Sequence, residues 1–261
     1  MYNFQDTIRG TPTFNSGLEV RFGDIILNQE MNNEDGTFFV ANTTGRDVLD
    51  FHHETATIKG RDGQYLYGAT YKEREIEIQV KLTGFTDLGM RRQYERLNRL
   101  LFSRKAKKLV FGDDPERYYI AIFSKVKKPE LEDANDIVIK LHFICHDPFK
   151  YTEPKTVTTN KVVYNGDFST EPILRLTTQA GSEIRILHLE TQKYIRLKAT
   201  YIQGSNLLVN CETREIKLND RNELMNFDMV SSRYFKLQKG VNTFQVVGAI
   251  LNSVEYKEVF A

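Results

Sequence analysis

The strongest constraint on the fold is a period-two alternation that recurs along most of the chain and is clearest at residues 74–84, REIEIQVKLTG. Ile76, Ile78, Val80 and Leu82 fall on one side of an extended chain, and Glu75, Glu77, Gln79 and Lys81 on the other. That pattern marks a half-buried antiparallel strand. The preceding segment, IKGRDGQYLYGATYKE, contains Asp62-Gly63, a pair that tolerates positive φ, so a hairpin or looped arm is expected there. YYIAIFSKV and DIVIKLHFICH flank the polar connector KKPELEDAN and predict a second hairpin with a long tip.

One stretch breaks the period. From Thr86 to about Lys107, Met90, Tyr94, Leu97 and Leu101 recur at helical spacing and predict one amphipathic helix capped by Thr86 or Asp87. After Phe149 the chain turns polar through KYTEPKTVTTN, and a domain boundary is expected there. We divide the chain into an N-terminal domain, 1–152, and a C-terminal domain, 153–261. The second half offers short runs separated by turn signals: PILRLTT, EIRILHL, KYIRLKA, NLLVN, TREIKL, YFKL, TFQVVGAI and VEYKEVF. Such spacing without helices predicts a β-sandwich or jelly roll.

A length of 261 residues accommodates two such domains, and 36 basic against 35 acidic side chains leave a net charge of +1. No global field draws the chain to nucleic acid or an anionic membrane. The N-terminus, MYNFQDTIRG, has no basic region followed by an apolar core, and no apolar run is long enough to span a bilayer, so neither a signal peptide nor a membrane partner is expected. The two cysteines, Cys145 and Cys211, are expected to be buried and reduced.

LHFICHDPFKY, residues 141–151, concentrates His142, Cys145, His146 and Asp147 and raises the question of a metal. On a strand, Cys145 faces away from both histidines, and the histidines lie ~13 Å apart, too far to share a zinc ion. His52 and His53 lack the second histidine of a zinc-protease helix. NNEDG resembles a calcium loop, but Asn42 stands where the closing glutamate would be, and Asp35-Gly36 reads as a hairpin turn. Glu130, Glu132, Asp133 and Asp136 fit a solvated hairpin tip. No nucleophile elbow, phosphate loop, dinucleotide fingerprint or C-x-x-C occurs, so neither a cofactor nor catalysis is expected. The one local charge excess is Arg91, Arg92, Arg96, Arg99, Arg104, Lys105, Lys107 and Lys108 against Glu95. It reads as a solvated helix face supported by Arg91, Glu95 and Arg99, or as a basic face of Arg92, Arg96 and Arg99 toward nucleic acid.

The order of IKGRDGQYLYGATYKEREIEIQVKLTG, RRQYERLNRLLF, KLVFGDDPERYYIA and HFICHDPFKYTEP resembles the N-terminal domain of the distal tail proteins of long-tailed phages that infect Gram-positive bacteria. YNGDFSTEPILRL and YFKLQKGVNTFQV are similar to the opening and the end of that family's C-terminal domain. The resemblance implies a mainly β fold: a β-rich, ring-forming N-terminal domain with one packed α-helix, and a galectin-like or jelly-roll β-sandwich. It implies a virion protein, assembled in the host cytoplasm, that forms a homohexameric ring at the tail tip or baseplate. Its partners would be the tail tube protein, the tail-associated hub or lysin protein and receptor-binding components, with DNA only in transit through the channel. DPF would be the handover between domains. An arm is expected around Arg61 to Tyr71, with Arg61, Asp62, Gly63, Tyr65, Tyr67 and Tyr71 at the oligomer interface; Arg92, Arg96 and Arg99 would face the channel. Two competing classes remain: a lectin-like protein engaging host cell-wall glycans through Tyr194, Tyr201 or Tyr234, and a hydrolase with a dispersed site. Some relatives carry an inserted carbohydrate-binding module, and no long insertion is visible here.

Overall fold

The computed structural model describes residues 17–127, 132–133 and 135–261. The chain divides into two compact units, Met1–Pro148 and Phe149–Ala261. The first contains β1 (Val20–Phe22), β2 (Ile25–Ile26), β3 (Gly36–Thr44), β4 (Phe51–Ala56), β5 (Tyr65–Tyr71), β6 (Arg74–Gly84), β7 (Lys107–Phe111), β8 (Asp114–Lys127), β9 (Glu132–Asp133) and β10 (Asp136–Cys145). Two helices, α1 (Leu27–Met31) and α2 (Asp87–Leu101), complete it.

The alternating segment forms β6, paired antiparallel with β10 from Arg74↔Cys145 to Thr83↔Asp136 and with β3 on its other edge. The path across the sheet runs β2-β1-β7-β8-β10-β6-β3. Ile76, Ile78, Val80 and Leu82 are buried, with Leu141, Phe143 and Cys145 of β10 beside them. Phe143 meets Phe22 and Phe123 edge-on at 5.2 and 5.6 Å. The second hairpin forms as expected: β8 pairs with β10, with a bulge between His142 and Phe143. Glu130 lies outside the described residues.

Helix α2 starts where the sequence places it, since Thr86 caps it by accepting from Gly89 N at 2.9 Å. It ends at Leu101 rather than Lys107, because the chain extends at Phe102 and enters β7. Its buried face also differs. Gln93 is fully buried while Tyr94 is 37% exposed. The short α1 ends beneath α2 with carbonyls that no intrahelical donor reaches. Gln93 Nε2 donates there to Met31 O at 3.0 Å and to Asn33 Oδ1 at 3.2 Å. Asp35-Gly36 turns the chain from α1 into β3 rather than joining two strands.

The second unit contains β11 (Lys150–Thr152), β12 (Lys155–Val157), β13 (Lys161–Tyr164), β14 (Ile173–Thr178), β15 (Gly181–His188), β16 (Lys193–Tyr201), β17 (Asn206–Asn210), β18 (Glu215–Leu218), β19 (Arg221–Asn222), β20 (Gly240–Val247), β21 (Ala249–Tyr256) and β22 (Val259–Phe260). Two sheets, β12-β21-β14-β17-β18-β19 and β13-β20-β15-β16, enclose one core. Leu174, Leu176, Val209 and Ile216 come from the first sheet, and Ile184, Ile186, Ile195 and Phe244 from the second. TFQVVGAI splits into β20 and β21 at Gly248, whose φ is +77° and whose added Cβ would sit 2.2 Å from Glu183 O. YFKL makes only an isolated bridge, Thr170↔Leu237, and no strand, because Phe235 and Leu237 plug the core instead. Among the described residues no helix is long and apolar enough to cross a membrane.

This core holds a polar cluster that periodicity does not reveal. His188 is fully buried, with Nδ1 2.7 Å from Thr191 Oγ1 and Nε2 3.1 Å from Asn242 Oδ1 and 3.2 Å from Glu190 Oε2. Its ring stacks on Phe235 at 5.2 Å. Burial pushes its pKa below the ordinary histidine value, against the opposing pull of Asn242 and Glu190. Between the folded and unfolded pKa values the unfolded chain therefore holds the extra proton. Stability from this residue is complete above about pH 6.5 and is lost as pH falls toward the folded value. Denaturant midpoints should decline across that window for the native chain, and the decline should be shallower in His188→Gln.

Candidate assembly interface

Among the described residues β4 and β5 pair only with each other, from Phe51↔Tyr71 to Ala56↔Tyr65, with a bulge between Glu54 and Thr55. No residue of either strand is buried. The Asp62-Gly63 signal lies in the connecting turn, where Gly60 and Gly63 take φ of +84° and +80°. The arm thus forms as a two-stranded ribbon that belongs to no larger sheet. Isolated hairpins of this kind are marginal in water, and among the described residues no strand pairs with either outer edge.

Aromatic side chains gather at its two ends. At the tip, Tyr65 and Tyr67 approach at 5.1 Å, with the Arg61 guanidinium 5.6 Å from the Tyr65 ring. Tyr67 is 66% exposed, Leu66 57% and Tyr65 47%. Tyr71 stands apart from them at the root, 4.6 Å from Phe51, whose ring stacks near His53 at 6.2 Å. The candidate residues therefore form two groups: Arg61, Tyr65 and Tyr67 with the Asp62-Gly63 turn, and Tyr71 with Phe51. Phe51 escapes the sequence reading because its segment, FHHETA, shows no alternation. Its position across the Asp62-Gly63 turn from Tyr71 is the signal that could have found it.

The root is held firmly. Arg74, buried at the first residue of β6, donates from Nε to Pro148 O at 2.9 Å and from Nη1 to Gly45 O and Asp47 O, each at 3.0 Å. Its guanidinium also lies 5.4 Å from the Tyr119 ring. Arg46 pairs with Asp113 through its two terminal guanidinium nitrogens, Nη2 at 2.6 Å and Nη1 at 2.9 Å, and covers Phe111 at 4.0 Å. Lys72 N donates to Asp50 O at 2.9 Å, and Leu49 is buried. Beside this root opens a cleft of about 610 Å³, lined by residues 45, 48–50, 52 and 70–75.

The basic helix face resolves differently. Arg92 Nη1 lies 3.2 Å and Arg96 Nη2 3.8 Å from the Asp35 carboxylate, and Arg96 Nη1 donates to Glu30 O at 3.4 Å. These two arginines tether α2 to the turn after α1, while Arg99 stays exposed. Among the described residues no ion pair joins Arg91, Glu95 and Arg99. His142 Nε2 is 3.0 Å from Glu77 Oε2, without the alignment of a hydrogen bond, and Glu77 also holds Lys127 and Lys140 at 3.1 and 3.2 Å. Burial, followed by the nearby Lys127, lowers the His142 pKa. His146 instead meets Glu73 at 3.0 Å. Cys145 lies in the core, where burial pushes its thiol up to about 12. Among the described residues no group of His, Cys, Asp or Glu could hold a metal. Of the tyrosines considered for sugar stacking, Tyr201 is buried, Tyr194 is covered by the Arg185 guanidinium at 4.4 Å, and Tyr234 stacks on Phe227 at 5.3 Å.

Comparison with known proteins yields two families. Residues 23–145 match the family described as phage tail protein RIFT-related domain, and residues 165–260 match the siphovirus-type tail component, C-terminal domain. The distal tail protein of Bacillus phage SPP1 is 28% identical over 216 residues, covering 79% of this chain and 85% of that protein. The crystal structure of SPP1 Dit, described as a paradigm of the hub adsorption apparatus in Gram-positive-infecting phages, superposes with a TM-score of 0.78 at 22% identity. The match covers 94% of this chain and 99% of that one.

Replacing Arg74 by methionine would leave the carbonyls of Gly45, Asp47 and Pro148 without their donor. A cost of about 2–4 kcal/mol is expected. Amide exchange should accelerate at residues 45–50 and along β4 and β5 while the β6–β10 ladder stays protected. Uniform acceleration across the unit would instead make Arg74 a general core residue and not the clamp of the arm.

Proposed function

The chain belongs to the distal tail protein family of siphophages, and from that premise we propose that its working form is a homohexameric ring whose copies hold one another through the β4–β5 arm. It is a structural component of the virion, located at the tail tip or baseplate. In this reading the N-terminal unit builds the ring around a channel, and the C-terminal sandwich carries the outward contacts. The ring joins the tail tube to the tail-associated hub protein and to receptor-binding components, and DNA crosses the channel only in transit. Arg99, not tied to the α1 turn as Arg92 and Arg96 are, is the arginine of the three free to face that channel.

The observation that carries this reading is the arm: a ribbon with no buried residue, two edges that no other described strand pairs with, and aromatic clusters at both ends. Tyrosine and phenylalanine are enriched at interfaces because they desolvate large areas at small entropic cost. A projecting edge is an aggregation hazard unless a partner covers it. In a closed ring every copy supplies one arm and receives one, so the exposed edge disappears without open-ended growth.

The test is the mass of the purified full chain by size-exclusion chromatography with light scattering, followed by negative-stain images. The native chain should form six-fold rings with a central hole. Deleting residues 62–68 should lower the mass about sixfold, to that of a folded monomer. Hexamers that persist unchanged after the deletion would place the ring contact elsewhere.

A further inference from the structure

The arm has a donor end and an acceptor end. Resting on the ring reading, we propose that the tip of one copy's arm, centred on Tyr67, seats in the cleft at the root of the next copy's arm. The tip presents Tyr65, Leu66 and Tyr67 to solvent, and the turn beside them carries Lys59 and Arg61 against Asp62. The cleft has an apolar lip at Val48, which is 92% exposed. Its charged lining has Asp50, Glu73 and Glu75 against Lys72 and the buried Arg74. Apolar side chains thus meet an apolar lip, and a turn with one excess positive charge meets a lining with one excess negative charge.

Geometry makes the contact intermolecular. β5 separates the two ends with seven residues of extended chain, roughly 20 Å at strand rise, so a chain cannot fill its own cleft. Tip-to-root docking joins two different surfaces of the same protein. Such a heterologous contact closes a ring when its rotation divides a full turn evenly, and grows a filament when it does not; the ring reading takes the first case. The volume of about 610 Å³ is in the range that encloses side chains of this size. The clamp by Arg74 keeps the cleft in shape before the partner arrives, which lowers the ordering cost of docking.

Cysteine cross-linking tests this, because Cys145 and Cys211 are buried, with thiols pushed up to about 12, and stay silent. In the full-length double variant Val48→Cys/Tyr67→Cys, oxidation or a short bifunctional thiol reagent should give a ladder of covalent oligomers ending in a closed species. Each single variant should stay monomeric on denaturing gels. Rings by light scattering without a ladder would overturn the docking and leave the ring intact. Efficient dimers from Tyr67→Cys alone would show tip-to-tip contact and overturn it too. If the native chain forms no rings at all, the ring reading fails, and this inference falls with it.

Discussion

Arg74 sits at the last rung of the β6–β10 ladder, opposite Cys145, and its guanidinium donates to carbonyls at Gly45, Asp47 and Pro148. These carbonyls belong to the segment leading into the arm and to the last residue of the N-terminal unit. One buried cation thereby joins the central strand, the root of the arm and the end of the unit. A planar fork that reaches several acceptors at once is what arginine supplies and lysine does not. The bond to Pro148 is buried and those to Gly45 and Asp47 are part-buried, so losing the donor is most costly at Pro148, and one side chain both completes the core and ties down the approach to the arm.

Much of this frame was legible in the sequence. β6 and the start of α2 follow from alternation and from one capping threonine, because strand and helix periods report burial on one face. The arm was legible from Asp62-Gly63. What stayed hidden is polar burial and cross-strand partnership. Gln93 reads as a surface residue until the open end of α1 is seen beneath it. His188 reads as the polar end of a strand until Phe235 and Asn242 close over it. Phe51 acquires meaning only as the neighbour of Tyr71 across a ribbon. In each case the deciding partner lies far away in the chain, where no local period can carry the information.

The histidine-rich stretch at residues 141–151 shows how the same letters can serve structure alone. Strand geometry sends Cys145 into the core and turns His142 toward Glu77, where Lys127 and Lys140 complete a mixed-charge cluster. Burial disfavours a charged imidazole there, and Lys127 beside it acts in the same direction. The cluster therefore works as cross-strand pairing on the sheet face. A ligand set would need its donors to converge, and the strand disperses them.

The arm is the element for which the isolated chain offers no adequate stabilisation. Strands β1, β3, β6, β7, β8 and β10 each bury residues in the N-terminal core, whereas β4 and β5 bury no residue and are held by a few ring contacts. Local stability follows buried apolar contact, so the arm belongs at the low end of the molecule's stability range, even though its root is clamped. A rigid root with a loosely held tip suits assembly. The root restricts the search to one direction, while the tip adapts to the surface it meets and keeps most of its ordering cost for the moment of contact. If ring closure covers the tip, that contact supplies what the monomer lacks, and folding of the arm and formation of the ring become one thermodynamic event.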